Sequence, residues 1–284
     1  MNYAQLFAAY EEQLVAIGEE AESLSFTFRG LKGLNFTEFL LLLRQEVTPT
    51  DKEEIDAIFQ QLSQHRPAQY IISKADFHGL EFVVDERVLI PRPETEELVD
   101  LILQENIGVD LRILDIGTGS GTIAISLAKA RPDWEVVAVD ISEDALAVAQ
   151  ENARNNQVSV HFLESDVLQA VTGKFDIIVS NPPYISQDDT DEVGLNVLTS
   201  EPHLALFAEE NGMAIYREIA EQAGAFLKKN GKLYFEIGYK QGQDLTDLLT
   251  LHFPKKRIRV LKDQFGQDRK VVADDNGKKK KNSN

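Results

Sequence analysis

A chain of 284 residues with 43% hydrophobic and 27% charged side chains has the balance of a soluble globular protein and the length for one or two domains. Its net charge of −18 becomes −22 once the four positive charges of Lys278, Lys279, Lys280 and Lys281 are set aside, and such a surface repels free nucleic acid, whose binding needs Lys and Arg to displace counterions. The lack of cysteine excludes disulfides, thiolate metal sites and a Cys nucleophile, and fits a cytoplasmic protein.

The N-terminus carries Glu11 and Glu12 and no basic stretch ahead of an apolar core, so no signal peptide is expected. Its longest strong apolar run, Phe39 to Leu43, is far too short to span a bilayer. Residues 1–66 read as a helical bundle domain. Leu6, Phe7, Tyr10, Leu14 and Ile17 recur at helical spacing over Tyr3 to Ile17. A second helix is expected from Asn35, a cap with Glu38 three residues on. A third is expected after Thr50, with Glu53 in the same relation, burying Ile55, Ile58, Phe59 and Leu62. Nothing here forms a catalytic set; stability or docking is the expected role. Residues 67–90 hold short β-prone runs, "QYIIS", "DFHGLEFVVD" and "RVLI", broken by Gly79, which predicts a hairpin linker. "PRPETEELVDLILQ" then places two prolines ahead of an amphipathic helix.

From Arg112 the chain alternates. Strand Arg112 to Ile116 precedes helix Ser120 to Ala130, and strand Glu135 to Val139 precedes a helix capped by Ser142 and running to Asn155. Strands follow at Val158 to Leu163 and Phe175 to Val179, then a helix from Met213 to Lys229 and a strand from Lys232 to Ile237. A helix from Gly242 to His252 leads to strands Arg257 to Lys262 and Arg269 to Ala273. This order predicts an α/β, mostly parallel, doubly wound sheet over residues 91–273. Only "DQFGQD" joins the last two strands, so they should pair antiparallel. The polar, lysine-rich tail, residues 274–284, is expected to be disordered.

The chemistry sits at two strand ends. "LDIGTGSG" follows an apolar strand and opens a helix, the setting a nucleotide loop requires. Gly117, Gly119 and Gly121 give close backbone approach, with Thr118 and Ser120 between them. The spacing is not that of the dinucleotide fingerprint, and no P-loop Lys-Ser/Thr follows. Asp140 ends the next strand, where a carboxylate accepts both hydroxyls of a ribose. Asp115, three alternating glycines and Asp140 together resemble the S-adenosyl-L-methionine site of Rossmann-like seven-stranded methyltransferases. In that fold Asp166, followed here by Val167, stands where the adenine amino group is contacted. The alternatives are a dinucleotide-binding domain or a glycine-rich turn without ligand.

The second end is "VSNPPYI". Two prolines cannot continue a sheet. The Asn181 side-chain carbonyl and the Pro182 backbone carbonyl are two acceptors that suit one –NH2 group. Pro183 stiffens the turn, and Tyr184 offers a ring for stacking a planar group. A planar amino group conjugated to a π system is the expected target. Its nitrogen is a poor nucleophile, so catalysis rests on placement and on stabilising the charge that develops. An ordinary Pro-Pro turn is the alternative for this stretch taken by itself.

Here the sequence resembles the PrmC/HemK family, the protein-glutamine methyltransferases of peptide chain release factors. The likeness covers nearly the whole chain: "RPAQYI", "FHGLEF", "VLIPRPETEELV", "LDIGTGSG", "VVAVDIS", "IIVSNPPYI", "EPHLAL" and "VLKDQFGQDRKVV". "NPPY" is shared with adenine-N6 and guanine-N2 nucleic-acid methyltransferases, which are the alternative reading; "LIPRPETE" with a helical N-terminus is more specific. The resemblance implies methyl transfer from S-adenosyl-L-methionine, leaving S-adenosyl-L-homocysteine, to the glutamine of the Gly-Gly-Gln motif in class I release factors. It implies cofactor contacts from Gly117 to Gly121 and Asp140, substrate contacts from Asn181, Pro182 and Tyr184, and docking by the N-terminal helices. Two residues depart from the pattern: Val167 replaces an aromatic near the adenine, and His203 replaces an arginine in "EPHLAL". The loop from Leu89 to Glu96 is expected over the site mouth, with Arg92, Glu94 and Glu96 as rim contacts or, with Thr95, as a helix start. The five histidines lack ligand spacing, so no metal is expected. No membrane or direct nucleic-acid partner is expected, and the protein is expected to be a monomer.

Overall fold

The computed structural model describes residues 1–275. Helix α1 (Tyr3–Ala16) starts on a closed capping box, in which Asn2 and Gln5 satisfy each other's backbone N–H groups. Helix α2 (Ser23–Lys32) follows, a helix the apolar spacing had not signalled. Asn35 and Glu38 close a second capping box on α3 (Phe36–Leu42), as expected. The cap of α4 (Pro49–Leu62) is Thr48, accepting from the Asp51 N–H, rather than Thr50; Pro49 takes the first helical position, where its missing N–H costs nothing. These helices bury Tyr3, Phe7, Leu14, Leu24, Phe28, Ile55 and Ile58 in a core of their own.

Residues 68–72, read as strand, form helix α5 (Ala68–Ile72). Tyr70 enters the core beneath the large sheet, whereas Ile71 packs on the helical bundle. The run is helical although its residues are β-prone, so tertiary packing on both cores overrides local propensity. The hairpin is narrower than expected, β1 (Lys74–Phe77) with β2 (Leu80–Val83); "RVLI" is loop rather than strand.

Helix α6 (Pro93–Glu105) leads into the alternating part: β3 (Arg112–Ile116), α7 (Thr122–Ala130), β4 (Glu135–Asp140), α8 (Glu143–Asn155), β5 (His161–Glu164) and β6 (Phe175–Ser180). Ser142 caps α8 through the Ala145 N–H. Three short turns follow, α9 (Leu195–Ser200), α10 (His203–Leu206) and α11 (Glu209–Gly212), then α12 (Ala214–Gln222), β7 (Leu227–Glu236), α13 (Gly242–His252), β8 (Arg257–Lys262) and β9 (Asp268–Asp274). The expected helix through Lys229 therefore stops earlier. Leu227 to Lys229 join β7, whose register beside β6 slips between Phe175 and Ile177.

The seven strands order as β5-β4-β3-β6-β7-β9-β8. All neighbours are parallel except around β9, which is antiparallel to β7 and β8. Two apolar clusters cover the faces, one with Ile113, Ile177 and Tyr234, the other with Leu114, Ile178 and Phe235, as alternation along buried strands requires. β9 runs one residue past Ala273: Asp274 is buried and paired with Arg257 and Arg259. The remainder of the expected tail, residues 276–284, lies outside the described residues. Strand order reverses between β3 and β6, the position at which open α/β sheets bind ligands.

Candidate active site

At the end of β3 the backbone turns sharply. Gly117, Gly119 and Gly121 sit at φ +72°, +56° and +85°, values a side chain adopts only at a cost. The Gly117 and Thr118 N–H groups donate to the Val139 carbonyl at 2.9 and 3.0 Å. The Gly119 N–H donates to Asp140 Oδ2 at 2.8 Å, and the Ser142 N–H to Asp140 Oδ1 at 3.0 Å. The loop is thus fixed against β4 by the carboxylate expected to hold a ribose. Burial pushes the Asp140 carboxyl above its usual range, while these backbone donors pull it down.

Behind the loop, Asp115 is fully buried. Its Oδ2 accepts from the Thr118 hydroxyl at 2.7 Å, and its Oδ1 has no partner. Burial pushes this carboxyl up to about 7. Asn152 Nδ2 ties the Ser120 carbonyl to α8. A β-carbon built on Gly117 or Gly119 meets nothing within 4 Å, whereas one on Gly121 meets Ile125 and Ala149. The first two glycines border open space, and the third packs the helix against its neighbour. That is the open, glycine-walled cradle a nucleoside-bearing cofactor fits.

One cavity of about 220 Å³ joins the two strand ends. It is lined by Gly117, Thr118, Gly119 and Ser120, by Asp140, by Asp166 and Val167, and by Asn181, Pro182 and Pro183. Most expected cofactor and substrate residues therefore share it. Val167 is buried in the sheet's core cluster; Asp166 is exposed and accepts from Gln169 Nε2.

Ser180, the last residue of β6, donates its hydroxyl to the Ile116 carbonyl at 2.7 Å and closes the gap between β3 and β6. Asn181 Nδ2 donates to the Thr95 hydroxyl at 3.3 Å. Thr95 is three residues into α6 and buried, so its hydroxyl serves Asn181 rather than capping a helix. Tyr184 departs from its expected place: it is absent from the cavity wall and packs on the core cluster under β7. Its carbonyl accepts from Gln241 Nε2 at 2.9 Å, and burial pushes its hydroxyl up to about 12.

Of the three rim candidates, only Arg92 lines the cavity. Its guanidinium pairs with Glu201 Oε1 at 2.5 Å, and Glu201 Oε2 accepts the Ile90 N–H at 3.1 Å. Glu96 instead accepts the His78 N–H at 2.9 Å, holding the hairpin on α6. Glu94 stands outside the cavity wall, on the first turn of α6. Glu201 is buried and clamps the loop from Val88 to Arg92, which forms one wall. His203, the substituted position, hydrogen-bonds the Leu198 carbonyl and stacks edgewise on Phe207. Sequence reasoning missed Glu201, Thr95 and Glu236. A lone acid in "YFEIG", inside a buried strand, was the available signal for the last.

Comparison with known proteins places the geometry. Residues 95–205 match the family model described as the methyltransferase small domain, and residues 5–72 match the PrmC N-terminal domain. A release factor glutamine methyltransferase of Streptococcus pneumoniae is 60% identical over 276 residues, which is 97% of this chain and 99% of that one. One from Enterococcus faecalis is 42% identical, covering 96% and 97%. A methyltransferase structure from Pyrococcus furiosus superposes with a TM-score of 0.52 at 18% identity, covering 79% of this chain and 98% of that one, a likeness of fold.

Proposed function

The chain belongs to the release factor glutamine methyltransferase family, and we infer from this and from its site that it methylates the side-chain amide nitrogen of the glutamine in the Gly-Gly-Gln motif of class I release factors. The observation that supports this most is the single cavity joining the glycine loop to Asn181-Pro182-Pro183. S-adenosyl-L-methionine supplies an electrophilic methyl group when bound. Gly117 and Gly119 would admit it against the backbone, Asp140 would accept its ribose hydroxyls, and Asp166 would stand near its adenine.

The amide lone pair is delocalised, so the protein must place the nitrogen rather than deprotonate it first. Asn181 Oδ1 and the Pro182 carbonyl accept the two N–H bonds of the glutamine –NH2, fixing its plane. The same acceptors stabilise the positive charge that grows on nitrogen during transfer, and the surplus N–H proton leaves afterwards to water. The wall from Val88 to Arg92, held by Glu201, narrows access of water. The N-terminal bundle exposes Phe36, Leu40 and Leu41 at 64%, 46% and 62%, an apolar patch suited to docking the protein substrate. A cytoplasmic, monomeric protein without nucleic-acid contacts of its own is consistent with this role.

Asn181→Ala tests the assignment. Loss of one preorganised polar group at a charged transition state costs about 100-fold or more in turnover. Methylation should collapse while S-adenosyl-L-methionine still binds on titration. Unchanged turnover would refute the role given to Asn181.

A further inference from the structure

Glu236 ends β7 immediately past the last β6–β7 pair, Ser180 with Phe235, and so stands beside Asn181. It is 2% exposed, and its Oε2 is buried without a hydrogen-bond partner. Tyr216 pins its backbone carbonyl at 2.6 Å. Burial raises its carboxyl, and the Thr95 and Asn181 side chains beside it pull the other way. A buried carboxyl with an orphaned oxygen is costly, and nothing in the packing of the strand requires one here.

We propose that Glu236 is a positioning residue for Asn181, acting through the Thr95 hydroxyl to decide which end of the Asn181 amide faces the cavity. This rests on the functional reading above and deepens it. The carbonyl and amino ends of an asparagine have nearly the same shape, so what lies behind the group sets its orientation. An ionised carboxylate is an acceptor only. It would take the Thr95 O–H, leaving the Thr95 lone pairs for the donation from Asn181 Nδ2 seen at 3.3 Å. The Asn181 carbonyl is then the end left for the substrate amide. A protonated Glu236 would donate, Thr95 would be free to turn, and the amide would lose its single orientation.

Burial pushes the Glu236 carboxyl up to about 7, so this chain of bonds is set by pH near neutrality. Glu236 is faced by Arg269 from β9, Glu94 from α6, Tyr216 from α12 and Tyr184 from the loop after β6. Lys270, its register partner on β9, is engaged by Glu97.

The test compares wild type with Glu236→Gln, Thr95→Val and Thr95→Ser, following methylation of purified release factor from pH 5.5 to 9. Wild-type kcat should rise with pH through the neutral region. Glu236→Gln should lose that rise and lower kcat about 10- to 100-fold at high pH, the worth of one hydrogen bond to a charged group. KM for the release factor and affinity for S-adenosyl-L-methionine should hold. Removing the buried carboxylate should raise the melting temperature at pH 8, which a merely structural role would not do. Thr95→Val should behave likewise and Thr95→Ser should restore turnover, so the threonine pair decides should Glu236→Gln fail to fold. A Glu236→Gln enzyme with wild-type kcat and an intact acid limb overturns the assignment. Wild-type protein that leaves release factor unmodified refutes the functional reading instead.

Discussion

Gly119→Ala and Gly121→Ala should separate binding from stability. Both residues hold positive φ, at +56° and +85°, and alanine there costs about 1–2 kcal/mol. At Gly119 the new methyl enters open space, so that cost is the whole stability effect. At Gly121 it would lie 2.8 Å from Ile125 Cδ1 and 3.2 Å from Ala149 Cβ, which adds overpacking of about 1–3 kcal/mol. The space over Gly119 is, however, the space assigned to the cofactor. A methyl there should weaken S-adenosyl-L-methionine at least about 10-fold, near 1.4 kcal/mol. Thermal melts and calorimetric titration of both variants give the two numbers. Wild-type affinity in Gly119→Ala would refute the cofactor cradle, and equal melting points would refute the packing role of Gly121.

Glu201→Gln removes the charge that holds Arg92 and the Ile90 N–H. Arg92 is partly exposed, so a loss of about 1–3 kcal/mol is expected in denaturant melts, with a raised KM for release factor; an unchanged melt would show that the loop stands without the clamp. Asp115 is held up to about 7 by burial, above the usual range of a carboxyl in an unfolded chain. The folded state therefore keeps a proton that the unfolded chain has released. The associated stability is complete below about pH 4 and is lost as pH rises from there to about 7, on the order of a few kcal/mol. Asp115→Asn should flatten this fall between pH 4 and 7 in urea midpoints, and an undiminished fall would place its origin elsewhere.

The strands around the site were legible because each is an apolar run bounded by turn residues. Strands Arg112–Ile116 and Arg257–Lys262 and helix Gly242–His252 have the expected limits, and Ser142 caps where it was expected to. Helix α2 escaped because its apolar content is thin. Its Gly30 looks like a breaker, yet a β-carbon there would lie 2.7 Å from Ile72 Cδ1, so the glycine lets α5 approach. Motif and strand order were enough to bring the glycine loop, Asp140 and Asn181 to one cavity. Tyr184 was misplaced because a motif names a residue without giving its ring direction, and burial against the core decided that. Glu201 and Glu236 were hidden for a different reason. Each lies more than 100 residues from Arg92 or Thr95 in sequence; the segment after β6 carries Glu201 to Arg92, and the pairing of β7 beside β6 carries Glu236 to Asn181.

The most direct measurement is mass spectrometry of a purified class I release factor after incubation with this protein and S-adenosyl-L-methionine. Expected is the mass of one methylene added to the glutamine of the Gly-Gly-Gln peptide, absent with Asn181→Ala. An unmodified peptide, with methyl transferred instead to a base amine of DNA or rRNA, would contradict it.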